Sequence, residues 1–95
     1  MNLSDYETWV LRRGGPAVDL GLDYSMIALC GEVGELANYY KKVMAGRNPP
    51  IRELHLEVGD ILYYLTRVAA DLGYSLEEAA ADNVEKIEAR DKKRK

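Results

Sequence analysis

The chain has 95 residues, 47% of them hydrophobic, which is the size of one small domain with a packed core. A net charge of -3 leaves no general basic field for a nucleic-acid backbone, and the run Lys92-Lys93-Arg94-Lys95 reads as a solvated, disordered tail. No apolar run approaches the ~20 residues that span a bilayer. No signal-peptide pattern opens the chain, and the single Cys30 cannot close an internal disulfide. The expectation is one cytoplasmic domain, residues 1–95, with neither membrane nor nucleic acid as partner.

The first predicted helix starts on a capping box, Ser4 with Glu7. It carries Tyr6, Trp9 and Val10 on one side and stops at Gly14-Gly15-Pro16. A loop over 14–22 follows. Asp23 is the expected N-cap of a second helix that runs to Ala45, with Gly46 as its left-handed terminator. An apolar stripe on that helix, Met26, Leu29, Val33, Leu36, Tyr40 and Val43, lies beside a second row of Ala28, Glu32, Glu35, Tyr39 and Lys42.

Asn48-Pro49 predicts the start of a third helix, which ends at Gly73. Leu54, Val58, Ile61, Leu65, Val68 and Leu72 form its core stripe, with Glu53, Glu57, Asp60 and Tyr64 alongside. Ser75 and Glu78 cap a fourth helix that reaches Arg90, and Asn83, Lys86 and Arg90 share one of its faces. The reading is an all-α, four-helix-bundle-like domain without strands.

Two acidic pairs carry the chemistry. Glu32 and Glu35, like Glu57 and Asp60, stand three apart on one helical face. Similar pairs on the fourth helix, such as Asp82 with Glu85, sit among lysines that can pair with them. The first two pairs lie instead in apolar segments: the first helix row offers no basic residue before Lys42, and the second none before Arg67. Four unpaired carboxylates brought together would repel and lose hydration unless a divalent cation joins them. Gly34 and Gly59 each cost about 1 kcal/mol in a helix interior, which predicts a close approach of the two helices at that level. Oxygen-only ligands favour Mg²⁺ or Mn²⁺ over zinc. His55 falls on the far side of its helix from Glu57, and the Glu-x-x-His pairs of di-iron bundles are missing. Mg²⁺ sites commonly take substrate phosphates as further ligands, which draws attention to Lys42, Lys86 and Arg90.

These residues resemble the all-α nucleoside triphosphate pyrophosphohydrolases of the MazG-like superfamily. The resemblance rests on Gly31-Glu32-Val33-Gly34-Glu35-Leu36, Glu57-Val58-Gly59-Asp60-Ile61-Leu62-Tyr63-Tyr64, and Asn83-Val84-Glu85-Lys86 with Arg90. Many members carry a further glutamate where Gly31 stands, a departure shared by shorter dCTP-pyrophosphatase-like members. The resemblance implies Mg²⁺ on Glu32, Glu35, Glu57 and Asp60, with Asn83 and Lys86 on the sugar and phosphates. It also implies cleavage of a nucleoside triphosphate to monophosphate and pyrophosphate in a homodimer or homotetramer. Glu32 or Glu35 is the expected proton acceptor; Tyr64, Tyr39 or, less directly, Trp9 borders the base.

Two enzyme assignments share these features: a general nucleoside triphosphate pyrophosphohydrolase and the phosphoribosyl-ATP enzyme. The latter resembles a Tyr-His ending after the second pair, where this chain has Tyr63-Tyr64. A non-catalytic helical module that binds metal or a partner, or a nucleotide sensor without turnover, needs fewer of these residues. The products formed from a panel of triphosphates separate them.

Overall fold

A computed structural model describes residues 1–47 and 51–94. Among them it has five helices and no strand, in the order α1 (Leu3–Arg12), α2 (Pro16–Asp19), α3 (Gly21–Met44), α4 (Ile51–Asp71) and α5 (Leu76–Lys93). The all-α expectation holds, with one more helix than the sequence pattern indicated. The expected start at Asn48-Pro49 lies outside the described residues.

Local chemistry accounts for most boundaries, including those that moved. The first capping box is Asn2 with Asp5, not Ser4 with Glu7: the Asn2 side chain accepts from the Asp5 N–H at 2.8 Å. Glu7, freed from capping its own helix, accepts instead from the Leu76 N–H at 3.2 Å, the start of α5. Within the expected loop, Gly15 at φ 110° and Pro16 at the first helical position set up the single-turn α2. The long helix begins at Gly21 with Leu20 as N-cap, which places Asp23 inside the first turn, where its charge favours the helix dipole. Gly46 and Gly73 hold φ of 82° and 86° just past α3 and α4, the left-handed termination expected of them. Ser75 and Glu78 form the anticipated capping box of α5. That helix runs on through Lys92 and Lys93, where the tail was expected to be disordered, because cations suit a helix C-terminus.

The architecture is an α3–α4 hairpin with α1 laid on α4 and α5 meeting α1 and α4. Arg67 fixes α1 from below. It is 6% exposed, and its guanidinium donates to the carbonyl oxygens of Val10, at 2.9 Å, and of Arg13. These carbonyls belong to the C-terminal end of α1, where a cation is doubly favoured. The guanidinium also lies 5.8 Å from the Tyr63 ring centroid.

The protomer is open. Its radius of gyration is 16.0 Å, against about 12 Å for a compact chain of this length. Val10 and Ala17 are the hydrophobic residues buried among the described ones, while Met26, Val33 and Tyr40 on α3, Val58 and Leu65 on α4 and Leu72 just past it are exposed. Alternate members of the expected core stripes are therefore uncovered, while Leu29, Leu36, Val43, Leu54, Ile61 and Val68 between them are half-buried together with Glu32. The predicted close approach at Gly34 and Gly59 is also overturned: both are exposed, and a Cβ at either would meet nothing within 4 Å.

Replacing Arg67 by methionine leaves two carbonyls of α1 without their charged donor. The expected loss is about 2–3 kcal/mol in urea unfolding at fixed protein concentration, with faster amide exchange confined first to α1. Unchanged stability and exchange would show that α1 is held by other contacts.

Candidate metal centre

The α3–α4 pairing brings carboxylates together across the hairpin. Glu32 on α3 and Glu57 on α4 are half-buried, Asp60 is exposed, and one oxygen from each lies within 4.8 Å of the other two. Burial pushes the Glu32 carboxyl above the usual carboxylate range. The adjacent Glu57, to which a protonated Glu32 can donate, and the charges of Asp60 and Glu35 push it further the same way. The Oε2 of Glu57 is buried without a hydrogen-bond partner. Among the described residues the ion pair present is Arg90 with Asp91, on α5, so no lysine or arginine offsets the trio. A buried acceptor without a donor, in a cluster of one sign, is an arrangement that could hold a hard divalent cation.

The remaining sequence-predicted residues take different places. Glu35 is exposed and stands outside the trio, one turn along from Glu32. The Lys42 ammonium sits 5.0 Å from the Tyr39 ring centroid, a cation–π contact on its own helix. Asn83, Lys86 and Arg90 are all exposed on α5, a helix that packs on α1 and α4. His55 lines an apolar groove with Leu54, Val58, Val33 and Tyr40, away from the trio, as its helical spacing required.

Aromatic rings border the acids. Tyr64, one turn past Asp60, is half-buried, with its ring centroid 5.1 Å from that of Tyr63. Burial raises the Tyr64 phenol above its ordinary value, followed by the nearby Tyr24 and Glu32. Tyr6 on α1 is raised by burial first and then by Tyr63 and Asp60, so both phenols stay protonated as donors near neutral pH. Tyr24 did not stand out from the sequence, although it lies two turns before Glu32 on the row that includes Ala28. Nothing local to Tyr6 announces its neighbour Asp60, because their proximity depends on how α1 docks.

Against known proteins, the profile of the MazG nucleotide pyrophosphohydrolase domain matches residues 23–95. That span contains Glu32, Glu57 and Asp60 and leaves α1 outside. A protein described as "Gene 37 protein" of Mycobacterium phage L5 is 32% identical over 75 residues, covering 74% of this chain and 66% of the phage protein. The chain thus spans slightly less than two thirds of that relative. No solved structure gives a significant match, and no described helix is long and apolar enough to cross a membrane. With the two acidic helix segments inside the matched span, the chain belongs to the MazG nucleotide pyrophosphohydrolase family.

Proposed function

We propose that the protein is a Mg²⁺-dependent nucleoside triphosphate pyrophosphohydrolase that works as a homodimer or a larger homo-oligomer. The observation that carries this reading is the trio of Glu32, Glu57 and Asp60, with the buried, unpartnered Glu57 oxygen and no protein cation to satisfy it. Mn²⁺ suits the same oxygen ligands. When bound, the ion would supply charge compensation for the phosphate oxygens and acidify a bound water.

The protein's own groups divide the remaining work. Glu32, Glu57 and Asp60 are the ligands, and Glu35, outside the trio and open to solvent, accepts the proton of the attacking water. Cleavage between the α- and β-phosphates then releases a nucleoside monophosphate and pyrophosphate. Tyr64 borders the nucleotide beside Glu32. Lys42, Asn83, Lys86 and Arg90 are the proposed phosphate and sugar contacts. For Lys42 this requires release from Tyr39, and for the α5 residues it requires approach of that helix, from the same protomer or its partner. An intracellular role in keeping or remodelling the nucleotide pool follows from such an activity.

Surface area supports association. The protomer exposes 7189 Å², against about 5,500 Å² for a monomer of its mass. The excess, about 1,700 Å² per protomer, is in the range of obligate dimer interfaces. Met26, Val33 and Tyr40 recur every seven residues on α3, as do Val58 and Leu65 on α4 with Leu72 just past its end. Two such seams side by side form half of a four-helix bundle that a second copy completes by two-fold symmetry.

Incubation with Mg²⁺ and a panel of nucleoside triphosphates, including phosphoribosyl-ATP, should yield monophosphate and pyrophosphate. Release of inorganic phosphate and a diphosphate, or no turnover across the panel, would sink the proposal. Glu35→Gln should lower kcat by about 10²–10⁴-fold with helical content intact.

Thermal unfolding without metal gives a second test. Because the folded-state pKa of Glu32 is raised above 4.5, its contribution to stability is fully present below that value. It is lost as pH rises through the higher folded-state value. The metal-free Tm should therefore fall over that window, and Mg²⁺ should restore it near neutral pH. Glu32→Gln should raise the metal-free Tm at neutral pH and remove most of the Mg²⁺ shift. An undiminished Mg²⁺ shift in that variant would place the cation elsewhere.

A further inference from the structure

The aromatic residues of α1 lie outside the segment matched by the family profile, and they continue a row of rings that runs across to α4. Tyr6 and Trp9 face each other with ring centroids 6.0 Å apart and planes tilted by 31°. Trp9 meets Tyr63 edge-on at 6.5 Å, and Tyr63 meets Tyr64 edge-on at 5.1 Å. The row begins at Tyr6, whose phenol feels the charge of Asp60, and ends at Tyr64, whose phenol feels that of Glu32. It thus borders the carboxylate trio one helical turn along α4.

An aromatic at helical spacing usually serves the core. Trp9 does not, since 47% of its surface is exposed. Nor is it needed to hold α1, which is fastened by the Arg67 guanidinium on the Val10 and Arg13 carbonyls, by Glu7 on the Leu76 N–H, and by the fully buried Val10. The uncovered seams do not account for it either. By helical spacing Asp60, Tyr63 and Arg67 lie on the side of α4 opposite Val58 and Leu65, so α1 docks away from the proposed dimer face. The indole face already accepts a planar cation, the Arg13 guanidinium, 5.0 Å from its centroid.

We infer that Trp9 is a nucleobase-stacking residue: α1 supplies an aromatic wall, led by Trp9 with Tyr6 beside it, to the substrate whose phosphates lie at the carboxylates. This inference rests on the pyrophosphohydrolase reading for the placement of the phosphates. The ligand class is a nucleotide with an aromatic heterocycle, and a bare polyphosphate lacks the group that the wall would hold. Stacking tolerates any base, so Trp9 contributes affinity for the base without naming it.

Trp9 is the chain's one tryptophan, so intrinsic fluorescence reports on it alone. The protein with Mg²⁺ is titrated with hydrolysis-resistant α,β-imido nucleoside triphosphates and, separately, with inorganic tripolyphosphate. Saturable quenching by at least one nucleotide and none by tripolyphosphate is expected. In steady-state kinetics on the best substrate, Trp9→Ala should raise KM about tenfold with kcat largely kept, while Trp9→Phe, which retains a stacking ring, stays near the wild type. Turnover of a nucleotide that leaves Trp9 fluorescence unchanged at saturation would overturn the inference, as would a Trp9→Ala KM within twofold of wild type. Should Trp9→Ala fail to fold, the wild-type titration still decides. Quenching by nucleotide without any turnover keeps the stacking site and removes the hydrolase reading; neither quenching nor turnover removes both.

Discussion

The structure is organised around a confrontation of like charges. Glu32, from one arm of the α3–α4 hairpin, meets Glu57 and Asp60, from the other, with oxygens within 4.8 Å and no basic side chain between them. In a medium poorer in water than bulk solvent, such a group either takes up protons or recruits a cation. The raised Glu32 carboxyl expresses the first option, and the unpartnered Glu57 oxygen leaves room for the second. A hairpin that closes on repelling groups at its centre gains stability from whatever relieves them, so a cation bound there would couple to folding.

The same hairpin has two sides with different duties. One carries the acids and, beyond Asp60, the aromatic residues and Arg67 that receive α1. The other carries seven-residue apolar seams whose side chains remain about half exposed in the protomer. With so little buried apolar surface, an isolated protomer has little to set against the entropy of ordering its chain. Association through the seams would supply that surface while leaving the acidic side accessible. The proposed catalytic chemistry and the proposed assembly thus use different, neighbouring rows of the same two helices.

Much of the fold was legible in the sequence because its signals are local. Ser75 with Glu78, Gly46 and Gly73 mark helix ends by rules that depend on a few neighbouring residues. The acids were legible as rows for the same reason, and their apolar setting distinguished them from the solvated pairs on α5. The meeting of Glu32 with Glu57 and Asp60 across the two helices was also anticipated; what failed were the inferences about how the apolar stripes and the mid-helix glycines are covered. Periodicity reports that Met26, Val33 and Tyr40 share a face, but not that these three stay about half exposed while Leu29 and Leu36 between them are half-buried together with Glu32. Gly34 and Gly59 were read as a close approach, yet they face open space in the protomer. The docking of α1 escaped notice because it depends on Arg67 reaching residues more than fifty positions away, a contact with no local signature.

The central claim is that the three carboxylates hold one divalent cation between α3 and α4. Anomalous diffraction from crystals grown with Mn²⁺ tests it most directly. The account predicts an anomalous peak about 2 Å from carboxylate oxygens of Glu32, Glu57 and Asp60. A saturating Mn²⁺ concentration that leaves this position without a peak, or a peak bound by other residues, would contradict it.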